Sequence, residues 1–175
     1  GVIRPTAEII GTLTKNNHVG LLATEGTVKS HSYDLEIKKF WPEIKVSGVA
    51  CPFWVPLVEY NEADSPGADY FVKKRIDELM RKDNDIDAII LGCTHYPILM
   101  PKIIKYVKPG VRIIPQGEYV AGSLKSYLER HNDIEKQITT KGSCRYYTTE
   151  NPDKFKESAQ IFLHEKVTVN HVDLE

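Results

Sequence analysis

The sequence has 175 residues, 41% of them hydrophobic and 27% charged, enough for one domain of ordinary size or two small lobes with a real core. Its 23 basic and 24 acidic residues nearly cancel, leaving no footprint for nucleic acid or an anionic membrane, and no apolar run approaches the roughly 20 residues of a membrane span. Three cysteines, Cys51, Cys93 and Cys144, odd in number and far apart, make no disulfide framework. The opening Gly1-Val2-Ile3-Arg4-Pro5 lacks the apolar core of a signal peptide. A reducing cytoplasm is the simplest setting.

In chain order, Pro5 to Asn16 reads as a helix with Ala7, Ile10 and Leu13 on one face. His18 to Ala23 reads as a buried parallel strand ending in Thr24-Glu25-Gly26-Thr27, and Val28 to Phe40 as a helix. Two hydroxyls and the free N–H groups of a helix start converge at that turn, as a carboxylate or phosphate would require. Lys45 to Ala50 is the next strand, running into Cys51-Pro52. Phe53 to Asn61 is an apolar connection with one carboxylate, Glu59. Pro66 to Lys82 carries Ala68, Val72, Ile76, Leu79 and Met80 as a helical stripe. Ala88 to Leu91 is a strand, Pro101 to Val107 a short helix, and Pro109-Gly110 a turn into the strand Val111 to Ile114. Gly117 to His131 is helical, residues 132–143 form a loop, Arg145 to Thr148 is a strand, Pro152 to His164 a helix and Val167 to Val172 a last strand. Helices alternating with strands imply an α/β fold with mostly parallel sheets and flanking helices.

The chemistry concentrates in Leu91-Gly92-Cys93-Thr94-His95-Tyr96-Pro97. It places a cysteine and a histidine at the carboxyl end of a buried strand, where open α/β sheets bind ligands. Gly92 allows a sharp turn, and Pro97 suits a first helical turn whose N–H groups would stabilise a thiolate. A free cysteine has a pKa of about 8.5, so thiol chemistry at neutral pH needs such help, and His95 can supply more. The plain alternative is a buried cysteine beside a surface histidine, and the strand-end setting argues against it. A zinc site is disfavoured, because Cys93 and His95 lack a second pair at ligand spacing. Thr24 and Thr27 can hold a carboxylate or simply cap a helix. Glu59 can act as a polar partner near a ligand or as a solvated carboxylate. Cys51 reads as a buried inert thiol.

Taken together, these landmarks resemble the cofactor-independent glutamate racemases. Gly1-Val2-Ile3-Arg4-Pro5 is similar to the family's entry into its central domain, and Leu22 to Ser30 to its substrate-binding threonine turn. Ala50-Cys51-Pro52 with Val55 to Glu59 is similar to its next landmark, Leu91 to Pro97 to its second catalytic cysteine, and Tyr146 to Thr149 with Phe155 to its closing strand and helix. The resemblance implies interconversion of L- and D-glutamate without pyridoxal phosphate, metal or other cofactor. In such enzymes one cysteine removes the α-proton as a thiolate and another protonates the opposite face as a thiol. By position, Cys93 is one of the pair, His95 assists it, Thr24, Thr27 and Thr94 contact substrate, and Glu59 helps to position it. The implied setting is cytoplasmic, the role supply of D-glutamate for peptidoglycan and cell shape, and the partner a small-molecule substrate, with a homodimer left open.

The family also carries an upstream segment with an Asp-Ser-Gly turn and a Cys-Asn-Thr turn bearing the other cysteine, and neither occurs here. The expected organisation is therefore two-lobed with the first lobe incomplete: residues 1–97 as the central domain, and 98–175 as the returning part of a first domain. The chain by itself is expected to be inactive. Gln116 stands where the family is expected to carry an acidic residue. Two other readings stay open. One is an aspartate racemase-like enzyme, against which His95 argues because those enzymes usually carry Glu there. The other is a non-catalytic α/β binding or assembly module.

Overall fold

A computed structural model of the chain describes residues 1–139 and 142–174. The chain forms two compact units, Gly1–Tyr127 and Leu128–Glu175. In order, the first contains α1 (Ile3–Leu13), β1 (His18–Ala23), α2 (Glu25–Lys29), α3 (Ser32–Lys38), β2 (Lys45–Ala50), α4 (Trp54–Glu59), α5 (Pro66–Lys82) and β3 (Ala88–Leu91). A 3₁₀ turn (Tyr96–Leu99), α6 (Met100–Tyr106) and β4 (Arg112–Pro115) follow, and α7 (Gly117–Arg130) starts in this unit. The second unit holds α8 (Asn132–Glu135), β5 (Tyr146–Thr148), α9 (Pro152–Leu163) and β6 (Val169–His171).

The four strands of the first unit form one parallel sheet in the order β2-β1-β3-β4. The order reverses direction between β1 and β3, which is the topological switch point where open α/β sheets bind ligands. The α/β class with parallel sheets and flanking helices is as the sequence implied. The boundary expected between residues 97 and 98 falls between β3 and β4, which are paired neighbours in this sheet.

Residues alternate between the two faces of the strands. Val19, Leu21, Ala23, Ala88, Ile90 and Ile114 pack with Ala7 and Ile10 of α1 and Tyr33 and Ile37 of α3. The opposite face meets α5, where the glycine at position 20 lets Leu79 press against the strand: a Cβ there would lie 2.8 Å from Leu79 Cδ2. Val72, Ile76 and Leu79 of α5 are buried, as their helical spacing predicts. Each fully buried aliphatic side chain contributes roughly 1.5–3 kcal/mol.

Several boundaries differ from the sequence reading for identifiable reasons. The helix expected over Val28–Phe40 is two helices, broken at His31 with a left-handed φ of 53°. Ser30 Oγ donates to Thr27 O at 2.9 Å, so a local side-chain bond competes with the helix ladder there. The first helix stops at Leu13, because the next amides turn to a carboxylate: Lys15 N–H donates to Asp87 Oδ2 at 2.6 Å and Asn16 N–H at 3.2 Å. The connection expected at 53–61 contains a helix, α4, and the loop expected at 132–143 begins with α8; residues 140 and 141 of that loop lie outside the described residues.

In the second unit β5 and β6 pair in parallel, with α9 packed against both. Its clearest packing is Val169, 7% exposed, and the rings of Tyr146 and Phe155, 6.3 Å apart.

At the amino-terminal end of the main sheet, Asp83 ties α5 to β1 and β2. The buried carboxylate meets Lys45 Nζ and His18 Nδ1, each at 2.9 Å, and accepts from Ser47 Oγ at 3.4 Å. Burial opposes its ionisation, but Lys45, His18 and the Asp85 N–H outweigh burial and hold its pKa at about 2, below the ordinary 3.8. A depressed carboxylate contributes stability above its unfolded pKa and loses it as pH falls through its folded pKa. Stability should therefore fall between about pH 4 and pH 2. Asp83→Asn should cost about 1–3 kcal/mol at pH 7 and flatten the slope across that window, as read by urea unfolding at stepped pH. An unchanged acid slope in the variant would assign the loss to other carboxylates.

Candidate functional site

The carboxyl ends of β1 and β3 meet at the switch point. Leu22 pairs with Leu91, and Gly92 N–H donates to Leu22 O at 2.8 Å, so Thr24 and Cys93 leave adjacent strands side by side. Gly92 has no positive φ, so the sharp turn expected of it is not why glycine stands here. A Cβ at this position would lie 2.9 Å from Ala23 Cβ and from Leu21 Cδ1. Its small size lets the end of β3 close against β1 and sets where Cys93 emerges.

Cys93 is partly exposed. Its Sγ lies 3.8 Å from His95 Nδ1, and the other ring nitrogen, Nε2, lies 2.6 Å from Glu59 Oε1 at the end of α4. A carboxylate can only accept, so Glu59 places a proton on Nε2 and directs Nδ1 at the thiol. With a neutral ring, Nδ1 can take the thiol proton; with a doubly protonated ring, it can donate to the thiolate. The helix start expected to polarise Cys93 is a 3₁₀ turn from Tyr96 to Leu99, and α6 begins at Met100. His95 is therefore the polar group that the local geometry delivers to the sulfur.

Thr24 and Thr27 face each other, Oγ1 to Oγ1 at 2.9 Å. Thr24 occupies the cap position of α2 but makes no side-chain cap bond, so the hydroxyl pair is not ordinary capping. Thr94 is exposed on the turn between Cys93 and His95. The structure thus joins Cys93, His95 and Glu59 in one chain of contacts, and brings the Thr24–Thr27 pair to the neighbouring strand end.

Below this layer, Trp54 and Tyr96 are fully buried, with ring centroids 4.8 Å apart at an interplanar angle of 65°. Tyr96 Oη donates to Cys51 O at 3.3 Å, and burial pushes the Tyr96 phenol well above its ordinary range. Burial also pushes the Cys51 thiol up, as expected of an inert cysteine.

Thr6 and Tyr33 escaped the sequence reading, and Gln116, noted there only as a departure from the family, joins them. Gln116, at the end of β4, donates from Nε2 to Leu91 O at 3.1 Å and accepts from Thr6 Oγ1 at 3.1 Å. Tyr33 is buried, which raises its phenol pKa; a hydrogen bond to Gln116 works the other way, and nearby Cys93 adds to the rise. Gln116 therefore anchors the end of β3 to α1 and α3. An ionised carboxylate there could not donate to Leu91 O, so the amide suits this network. No spacing in the sequence joins residues 6, 33, 91 and 116.

Among the described residues, the group of His and acidic side chains near enough to share a cation is His18, Asp83 and Asp85, and Asp83 is already engaged by Lys45. No helix among the described residues is long and apolar enough to cross a membrane.

Residues 1–121 match the family model described as Asp/Glu/Hydantoin racemase. Glutamate racemase of Streptococcus pyogenes serotype M2 is 38% identical over 175 residues, covering 99% of this chain and 65% of the relative. The chain thus spans slightly less than two thirds of that relative's length. A glutamate racemase isoform from Bacillus anthracis superposes with a TM-score of 0.87 at 32% identity, covering 99% of this chain and 64% of the other. The Francisella tularensis glutamate racemase, solved in complex with D-glutamate, gives a TM-score of 0.83 at 29% identity, covering 98% and 62%.

Proposed function

The chain belongs to the Asp/Glu/Hydantoin racemase family, and we propose that it is the larger part of a cytoplasmic glutamate racemase supplying D-glutamate for peptidoglycan. The observation that carries this reading is the partly exposed Cys93 thiol at the β1/β3 switch point, with His95 on its sulfur and Glu59 behind the imidazole.

The α-proton of an amino acid is a very weak acid, so its removal needs a strong, dry base close to the carbon and stabilisation of the charge that develops. On this reading Cys93 exchanges a proton with one face of the α-carbon. His95 manages the thiol proton, and Glu59, a positioning residue, fixes the ring that does so. The hydroxyls of Thr24 and Thr27 and the exposed turn at Thr94 bind substrate carboxylate. No bound cofactor enters the scheme: the proton leaves to one thiolate and returns from a thiol on the opposite face.

Of the two thiols in the first unit, Cys93 is the suitable one. Cys51 is buried, and its proton is held by burial. On this reading the second acid/base group belongs to an upstream segment, within the third of the relatives' length that this chain does not span. β5, α9 and β6 are, on the same reading, the returning part of a first domain that this segment opens. The 175-residue chain alone therefore does not turn over glutamate.

The test follows the circular dichroism of D-glutamate with no added cofactor, using this chain joined to an upstream segment of its relatives' kind. Loss of the signal supports the proposal. A flat trace from folded protein, with activity on aspartate instead, would move the substrate to the shorter acid. Inactivity on both would favour a binding module, and turnover by the 175-residue chain alone would overturn the two-thiol division.

A further inference from the structure

A cavity lies along the free edge of β2, and Cys93 is not among its lining residues. It has a volume of about 320 Å³, within the range of small-molecule sites. Lys45 N–H donates to Asn17 O and Cys51 N–H to Ala23 O, each at 2.9 Å, so these alternate amides face β1. Val46 and Gly48, between them in register, turn their backbone groups outward instead, and both line the cavity. Val28 and Ile44 add apolar wall. Glycine at position 48 keeps the wall close to α2, since a Cβ would lie 3.3 Å from Val28 Cγ1.

Three ammonium groups stand at the rim, those of Lys38, Lys45 and Lys82, against one lining carboxylate, Asp34. Lys38 meets Asp34 at 3.3 Å, and Lys45 meets the buried Asp83 at 2.9 Å. Lys82 Nζ rests on Gly48 O at 2.9 Å, a neutral acceptor, and among the described residues no carboxylate pairs with it. That contact also blocks a bare edge carbonyl, which disfavours pairing by an added strand and favours a compact ligand.

We infer that this cavity binds a small organic anion, its acidic group held by Lys82 and Lys38 beside the edge N–H groups of β2, and its apolar body packed on Val28 and Ile44. A carboxylate and a phosphate monoester share this chemistry. The site does not depend on the racemase reading, because its test reads binding to the 175-residue chain and no turnover.

Amide chemical shifts of the full chain are followed by nuclear magnetic resonance during titration with benzoate, phenyl phosphate and, as a neutral body, benzyl alcohol. Saturable shifts centred on Val46 and Gly48 are expected from at least one anion, and the tighter of the two identifies the acid preferred. Lys82→Gln should weaken that binding about tenfold. Lys38→Gln should weaken it in the same direction, and Arg112→Gln, on β4 at the opposite edge of the sheet, should leave it unchanged. All three side chains are exposed, so the fold should survive each change. Absence of saturable shifts from both anions, equal binding of benzyl alcohol, or unchanged binding in Lys82→Gln would each overturn the inference.

Discussion

Cys93→Ser should lower the rate of α-proton exchange in glutamate by about 10²–10⁴-fold, the usual contribution of a positioned acid or base. The measurement is incorporation of deuterium from heavy water at the α-carbon, with this chain joined to the upstream segment that the proposed function invokes. A serine hydroxyl keeps the size and the hydrogen bond but is a far weaker acid than a thiol, so its conjugate base is not available at neutral pH. The surroundings of Cys93 contain groups that suit a proton acceptor: His95 Nδ1 at 3.8 Å, with Glu59 at 2.6 Å from the far nitrogen. Exchange should be suppressed more from the enantiomer whose proton faces Cys93 than from the other, because in the proposed mechanism the opposite thiol is untouched by the substitution. Equal exchange in the variant and the parent would remove Cys93 from the reaction and with it the proposed mechanism.

Trp54→Ala should destabilise the first unit by about 3–5 kcal/mol, near the limit for one substitution in a domain whose total stability is of order 5–15 kcal/mol. Trp54 is fully buried, donates Nε1–H to Phe71 O at 3.3 Å and packs edge-on against Tyr96. Truncation leaves a large void, removes the second donor on Phe71 O, whose helical partner remains, and frees Tyr96, which stands three residues after Cys93. Urea unfolding measures the loss. Trp54→Phe should recover more than half of it, because an aromatic ring still packs against Tyr96 and only the N–H and part of the indole volume are lost. If alanine and phenylalanine cost the same, the hydrogen bond rather than the ring holds this layer. In the alanine variant the loosened Tyr96 turn should also make alkylation of Cys93 by iodoacetamide less uniform, a readout that a purely global loss of stability at a remote site would not give under native conditions.

The long periodic elements were legible in the sequence. The stripe Ala68, Val72, Ile76 and Leu79 announces α5, and the apolar runs His18–Ala23 and Ala88–Leu91 announce buried parallel strands. Cys93 and His95 were legible too, because a strand followed by glycine, cysteine and histidine puts chemistry at a strand end whatever the rest of the chain does. Helix ends were less so. The break at His31 and the stop at Leu13 come from side chains that capture backbone groups, Ser30 in one case and the distant Asp87 in the other.

Sequence by itself determined the period of each element, the balance of charge and the identity of the candidate side chains, since these depend on residues a few positions apart. Tertiary structure alone decided the strand order that sets β1 beside β3, the meeting of Glu59 with His95 across 36 residues, and the Gln116 anchor on Thr6 and Leu91. The reason is physical: a hydrogen bond or a close approach between distant segments depends on how the whole sheet packs, and packing is a property of many side chains at once. Gly92 shows both sides of this. Its presence before Cys93 is plain in the sequence, but its purpose, letting β3 close to 2.9 Å of where a Cβ would meet Ala23 and Leu21, exists only once the two strands lie together.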